Sequence, residues 1–340
     1  MVIEKGDSKM IKKLITICLV FAWFSISMAG TSASIGTDSG TQLLIPTGAK
    51  GVALNSSYNA SVTGVDALYY NPAGIAGKVN GVEAQFSSYS YIAGIKHTYA
   101  AFVSNVGEGT VGLSFKSLDF GDIKKTTADD THGTSGNTYS PNFSVLTLSY
   151  AKSFSDRIRF GTSVKIVNET VDQTGGSAYA LDMGVQYEHA SLPLKLGVSL
   201  RNLGSKLEYS GINLEEGTST LLSEASNLPA NLNISTSYKV GPVDVHYSFT
   251  NFSYAFNESS LGLEYQIELG DYSAWVGGGV NSLLIEEDEL DEAYSSNPFG
   301  ASFGGGLNAK LGDFNFGLDF GLKSSELFGN TSVLALNVGF

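Results

Sequence analysis

Cysteine is almost missing from this 340-residue chain, and its one instance, Cys18, lies near the start. The body of the protein therefore has no disulfide framework, no thiol nucleophile and no cysteine-ligated metal site. The four histidines, His97, His132, His189 and His246, stand far apart, with no Cys, Asp or Glu beside them at metal-ligand spacing. Neither a G-x-S-x-G elbow nor a phosphate-binding P-loop occurs. Basic residues are scarce, 20 against 33 acidic, for a net charge of −13. That excess repels phosphate backbones and disfavours nucleic-acid binding. With 42% hydrophobic residues and 11% aromatics the chain nevertheless has the means to fold.

Long apolar runs are also lacking. The longest, Leu14–Phe24, is interrupted only weakly by Thr16 and Cys18 and falls short of the ~20 residues a spanning helix requires. Lys9, Lys12 and Lys13 precede it, and Ser27-Met28-Ala29 follows with small residues three before and immediately before a cut after Ala29. Charged, apolar and small-residue regions in that order describe a secretory signal peptide over 1–29. Its removal leaves 16 basic and 31 acidic residues, a balance of −15. Any further crossing of a membrane must be made by strands.

What the chain does have is alternation. Phe314, Phe316, Leu318, Phe320 and Leu322 alternate with Asn315, Gly317, Asp319, Gly321 and Lys323. A strand sends successive side chains to opposite faces, so one face here is apolar and the other polar. The split recurs over Leu261–Leu269, Leu194–Leu200 and Val243–Phe249. Fourteen such segments can be traced from residue 82 to residue 340, many of them 10–14 residues long. A soluble sandwich would use shorter strands, typically about 5–6 residues. A bilayer-spanning strand needs about 9–11, and bacterial single-chain barrels have even strand numbers.

The connections have a rhythm as well. Tight turns such as Gly241-Pro242, Gly270-Asp271 and Gly312-Asp313 follow even-numbered strands, whereas the long connections 120–141, 204–229 and 284–298 follow odd ones. Long loops at one end and short turns at the other are the asymmetry of outer-membrane barrels. The expected fold is all-β and transmembrane: a closed antiparallel barrel of about 14 strands over 81–340, with both termini periplasmic and the long loops extracellular. Phe340, at the end of an alternating strand, resembles the signal read by barrel-assembly machinery.

Residues 30–80 lack this period. A Ser/Thr/Gly-rich stretch, Thr31–Thr41, leads to Gly48-Ala49-Lys50 and then to Asp66-Ala67-Leu68-Tyr69-Tyr70-Asn71-Pro72-Ala73-Gly74. Proline disfavours helix at Asn71, and Gly74 tolerates a sharp turn, so a short helix ending in a rigid turn is expected. A segment of this length ahead of a barrel reads as a lumen plug or hatch. Gly48, Ala49, Lys50, Asp66, Asn71, Pro72, Ala73 and Gly74 form a pattern that resembles the PorV/PorQ family, relatives of FadL-type fatty-acid transporters. The chain departs from that pattern at Val52–Ser57 and carries one aspartate, Asp66, where the family often has two. The resemblance implies a non-enzymatic outer-membrane barrel acting in protein export or in docking secreted substrates at the cell surface. Its expected partners are outer-membrane lipid, the assembly machinery, and secretion subunits or exported proteins. The competing reading is FadL-like uptake of long-chain fatty acids or other hydrophobic small molecules through a plugged lumen.

Other candidates each carry two readings. Arg157, Arg159, Lys165, Lys195 and Arg201 can form a basic strip in the lumen that meets a carboxylate, or pair with Glu169, Asp182, Glu264 and Asp319 as structural ion pairs. The acidic run Glu286–Glu292 can hold Ca²⁺ or be a solvated loop. Leu207, Ile212, Leu214, Leu221 and Leu222 can receive an acyl chain or pack as an ordinary loop. Gly277–Gly279 and Gly304–Gly306, inside strands, suit bends or contact with a plug better than a cofactor cradle, and no cofactor is expected.

Overall fold

A computed structural model describes residues 36–77, 81–212, 220–284, 299–325 and 327–340. The proposed leader and the acidic run 286–292 lie outside the described residues. Within them the barrel strands are β1 Val82–Ser90, β2 Lys96–Val106, β3 Gly109–Asp119, β4 Asn142–Ser153, β5 Ile158–Val171, β6 Thr174–Glu188 and β7 Leu194–Gly204. They continue as β8 Asn231–Val240, β9 Val243–Phe252, β10 Asn257–Leu269, β11 Tyr272–Leu284, β12 Phe299–Leu311, β13 Phe314–Ser325 and β14 Thr331–Gly339. Every strand is antiparallel to its neighbours in sequence, and β14 returns to β1 in the register Phe86↔Leu336, which closes the barrel.

Alternation decides which way each strand faces. On β13, Leu318 is 50% exposed while the adjoining Asp319 is 7% exposed. Phe86, Phe102, Phe115, Leu148, Leu263 and Phe303 likewise point outward and are exposed. An apolar belt all around a protein is untenable in water and is what a bilayer requires. No described helix is long and apolar enough to cross a membrane, so the strands do the crossing.

One irregularity aims side chains. Between Leu181↔Leu203 and Met183↔Leu200 the register of β6 and β7 shifts, so Arg201 and Asn202 together oppose Asp182. Asn202 adopts φ +60°. This bulge breaks the alternation and turns two consecutive residues, Arg201 and Asn202, into the buried interior.

The two ends of the barrel differ. Turns such as Gly241-Pro242 and Gly270-Asp271 close one end, and both glycines take the positive φ those turns need. At the other end stand loop 120–141, which carries a small ladder of Ile123–Lys124 on Thr138–Tyr139, and loop 205–230. There β6 projects past β7, and its first residues pair with a short strand, Tyr209–Ile212. The third long connection, 285–298, is outside the described residues.

Residues 36–77 lie inside the barrel. They form a 3-10 turn at Thr41–Leu44, α1 Ala49–Ala53, a 3-10 turn at Gly64–Asp66, α2 Ala67–Tyr70 and a 3-10 turn at Pro72–Ala76. The helix expected before Asn71 is thus a single turn. The Gly36 N–H donates to the Tyr254 carbonyl (3.1 Å) and the Ser39 N–H to that of Asn227 (2.9 Å), both at the long-loop end. Ser153 Oγ donates to the Ala76 carbonyl (3.2 Å) at the turn end. The segment therefore runs the length of the lumen. β1 begins and β14 ends at the turn end, as the strand parity requires, but the first described residues sit at the opposite end. Counting strands cannot reveal this, because the chain threads the barrel before it joins the wall.

Candidate functional site

The seat of the inner segment is built from glycine and small polar residues on the inward faces. A side chain at Gly161 would collide with Pro72, one at Gly184 with Asn71, one at Gly321 with Ala49, and one at Gly304 with Ala53. Gly197 faces the Ala60 Cα, and Gly279 the Leu54 carbonyl. These positions lie on β5, β6, β13, β12, β7 and β11, so the backbone of the segment meets the wall on many sides. The reading of the 277–279 and 304–306 runs as plug contacts therefore matches where Gly279 and Gly304 lie; in each run the central glycine faces the other way.

Between the glycines, side chains satisfy the carbonyl oxygens that the short helical turns leave open. Ser302 Oγ donates to Ala53 O (2.7 Å), and Gln186 Nε2 donates to Val62 O (2.9 Å) and Asn59 O (3.1 Å). Arg201 Nη1 donates to Tyr69 O (3.2 Å), and its guanidinium lies over the Tyr69 ring (5.2 Å). Lys116 Nζ donates to Gln42 O (2.8 Å) and Ile45 O (3.0 Å).

The motif residues act as fasteners in this seat. Asn71 Oδ1 accepts from the Ala73 N–H (3.2 Å) and caps the turn that Pro72 starts, while Asn71 Nδ2 reaches the Val185 carbonyl (3.2 Å) on the wall. Gly74 lies so close to the Val62 carbonyl that no side chain fits. Gly48 holds φ +72° beside Asp66 and Gln85. Ala49 and Ala73 are fully enclosed. Lys50 Nζ pairs with Glu264 Oε1 (2.7 Å) and lies over the Trp275 ring (5.3 Å).

Asp66 accepts from Gln85 Nε2 (2.8 Å) and Tyr58 OH (3.1 Å), and among the described residues no cation stands within ion-pair distance. Burial pushes its carboxyl above the ordinary value, against the opposing pull of those hydrogen bonds and of Lys50. Burial likewise pushes the Tyr69 hydroxyl up to about 12.

Two cavities open beside Asp66 at the turn end. The larger, about 430 Å³, lies against β7–β10 and is lined by Lys50, Tyr58, Lys195, His246 and Glu264 among others. The smaller, about 240 Å³, lies against β1 and β12–β14, with Glu83, Asn308 and Asn337 in its wall. In the larger one, Ser237 Oγ meets His246 Nδ1 (2.8 Å), and His246 Nε2 faces Glu264 Oε2 (3.5 Å). Sequence spacing paired no carboxylate with His246; the partner comes from the next strand. Ser237 also donates to Ser61 Oγ (3.1 Å), so the row links wall to segment.

At the long-loop end the described residues pack closely around Leu43. Leu43, Val145, Val167, Ala178, Leu207 and Leu228 form an apolar cluster. Next to it the space around Tyr69, Lys116 and Lys165 amounts to about 10 Å³, the room of one water.

The five basic residues are not brought together as a strip. Lys165 Nζ is buried against Asp182 Oδ2 (2.6 Å) and Asn202 Oδ1 (2.8 Å), and Arg201 is held by Asn231 and Tyr69. Arg159 reaches Gln186 (3.1 Å) and Glu188 (3.4 Å), Lys195 borders the larger cavity, and Arg157 is exposed in the turn before β5. Of the proposed acidic partners, Glu264 pairs with Lys50, Asp319 accepts from Trp275 Nε1 (2.7 Å) and Asn337 Nδ2 (2.6 Å), and Glu169 accepts from Tyr209 OH. Leu207 is packed in the apolar cluster; Leu214 and the side chains of Ile212, Leu221 and Leu222 are outside the described residues.

The family model for the type IX secretion system membrane protein PorP/SprF matches residues 67–340, from α2 through the last strand. The chain belongs to the PorP/SprF family. No curated protein matches it by sequence. Among solved structures, the Pseudomonas putida toluene transporter TodX shares 12% identity at a TM-score of 0.54, covering 85% of this chain and 98% of its own. A deltaS2S3 mutant of TodX, described as a monoaromatic hydrocarbon channel, shares 13% identity at a TM-score of 0.52, covering 86% and 97%. The monoaromatic hydrocarbon channel CymD shares 13% identity at a TM-score of 0.52, covering 90% and 98%. At such identities the likeness is one of fold. The PorP/SprF-family chain is thus a secretion-associated outer-membrane barrel with the frame of the hydrocarbon channels. The name PorV/PorQ, suggested by residues 48–74, is carried only to that coarser level.

Proposed function

We propose that this PorP/SprF-family barrel is a non-enzymatic part of protein export, of the PorV/PorQ type, and that it docks secretion subunits or exported proteins rather than conducting a solute. The enclosure of Leu43 carries the reading: the inner segment occupies the lumen there and is fastened to the wall by Lys116. In this reading residues 30–80 are the plug, the long loops are extracellular and the cavities beside Asp66 open to the periplasm. The Ser237–His246–Glu264 row serves to hold the plug, since Glu264 is already engaged by Lys50.

Uptake of a hydrophobic molecule is the second reading, favoured by the shared frame. Against it stands the lining of the larger cavity, where Lys50, Asp66, Lys195, Asp244, His246 and Glu264 replace the mostly apolar wall that such ligands prefer. The two readings part in one experiment. Deleting the protein, or loop 120–141 alone, should deplete secreted and surface-attached proteins. An unchanged secreted proteome, together with a hydrophobic small molecule retained in native mass spectrometry, would replace docking with uptake.

A further inference from the structure

We infer that the larger turn-end cavity is a socket for a single carboxylate carried on a small polar group, anchored by Lys195. Every carboxylate in its lining already has a donor or a cation beside it. Glu264 accepts from Lys50 (2.7 Å) and Gln266 Nε2 (2.8 Å), and Asp66 from Gln85 and Tyr58. Asp244 lies 3.9 Å from Lys239, and Glu188 lies 3.4 Å from Arg159 Nη2. Lys195 is the exception. It stands directly opposite Glu188 in the β6–β7 register, yet that carboxylate turns to Arg159. Among the described residues no carboxylate lies within ion-pair distance of Lys195.

Alternation aims this lysine at the cavity: Leu196 is exposed on the lipid face, so Lys195 points inward. There it opposes Ser237, which opposes His246, in one row across β7, β8 and β9. Directly opposed residues have Cβ atoms about 4.5–5.5 Å apart. Ser237 and His246 are buried and Lys195 is half-buried. A half-buried ammonium that faces a cavity without a counter-charge is a place for an anion.

The rest of the wall narrows the anion. Lys50, Lys195 and Lys239 face Asp66, Glu188, Asp244 and Glu264, so one negative charge is admitted and a doubly charged phosphate is repelled. Tyr58, Ser61, Thr63 and Gln266 suit amide and hydroxyl groups better than an acyl chain. The volume, about 430 Å³, lies toward the lower end of the roughly 300–1,000 Å³ of small-ligand sites. Small polar acids and acidic residues of a partner share this chemistry. That the socket meets them from the periplasm rests on the orientation proposed above; binding itself does not.

The full chain, purified from outer membranes in mild detergent, is titrated calorimetrically with a blocked glycyl-aspartyl-glycine tripeptide, its asparaginyl counterpart, lactate and decanoate. The aspartyl peptide should bind and the asparaginyl one should not. Lactate binding as tightly as the peptide assigns the socket to small acids, and weaker lactate assigns it to a partner's acidic residue. Lys195→Gln should weaken the peptide roughly tenfold or more, and Lys195→Arg should keep most of the affinity. Lys152→Gln, which removes a charge outside the cavity at the same end, should change nothing. Heat-modifiable mobility checks the folding of each variant. Should Lys195→Gln fail to fold, the native chain decides alone, since binding through an ion pair must weaken as salt rises. Peptide binding that is absent, indifferent to Lys195→Gln or to salt, matched by the asparaginyl peptide, or surpassed by decanoate would overturn the inference. A secreted proteome unchanged on deletion would sink the docking reading and leave the socket standing. A depleted proteome with no binding would do the reverse.

Discussion

Lys50 Nζ lies 2.7 Å from Glu264 Oε1, joining α1 of the inner segment to strand β10 across 214 residues of sequence. Glu264 is 2% exposed, so it has little water to turn to if the lysine is lost. Lys50, partly open to the larger cavity, weakens the case for a fully buried pair.

Lys50→Met should therefore destabilise the barrel by an amount between the 0–1 kcal/mol, roughly, of exposed pairs and the ~3–5 kcal/mol of buried ones. The double variant Lys50→Met/Glu264→Gln should recover part of the loss, since it leaves no buried charge alone. Thermal unfolding in detergent gives both values; a double variant no better than the single would refute the account.

Gly321→Leu should unseat the segment, because its side chain would occupy the place of the Ala49 carbonyl. In planar bilayers the native barrel should pass little current and the variant should open. Leu318→Ala, on the lipid face of the same strand, should leave conductance as it was. Equal conductance for all three would mean the segment does not seal the lumen.

Asp66 predicts a pH dependence. Its carboxyl is raised above 3.8 by burial, so the folded state holds its proton to higher pH than the unfolded chain does. The sign follows from linkage: this group's contribution is most favourable below the unfolded value and is lost as pH rises through the folded one. Asp66→Asn should raise the unfolding midpoint near neutral pH and flatten its fall with rising pH. A midpoint lowered at neutral pH would show that the charged form is the one the site favours.

Asn71→Ala removes the cap on the Ala73 N–H and the link to the Val185 carbonyl. A loss of about 1–3 kcal/mol is expected, because the polar groups left behind are buried. Denaturant unfolding in detergent measures it, and a neutral effect would remove Asn71 from the fasteners.

Phe340 closes the seam. Its N–H donates to Val82 O (2.9 Å), its carbonyl accepts from the Val82 N–H (2.7 Å), and its ring lies near that of Phe314 (5.9 Å). Deleting it should lower the amount of folded, heat-modifiable barrel in the outer membrane. An unchanged amount would relieve Phe340 of any role in assembly.

The sequence by itself determined the wall. Alternation over Phe314–Lys323 is a local property, since adjacent side chains on a strand must face opposite ways, and it placed Leu318 outward and Asp319 inward without reference to any distant residue. The same rule traced fourteen segments between residues 82 and 340, and fourteen strands close the barrel over that stretch. The motif at 66–74 was visible too, because Asn-Pro and Gly restrict the backbone wherever they occur.

Only the tertiary structure decided the interior. Asn71 meets Gly184, Ala49 meets Gly321 and His246 meets Glu264 because the closed sheet brings them together, and nothing in their spacing says so. The basic residues of β5 and β7 shared a polar face in sequence, yet the bulge at Asp182 drew Lys165 and Arg201 into separate pairings. The threading of residues 36–47 to the long-loop end is of the same kind. It depends on which carbonyls and cavities the finished barrel offers, and these exist only once the wall has closed around the chain.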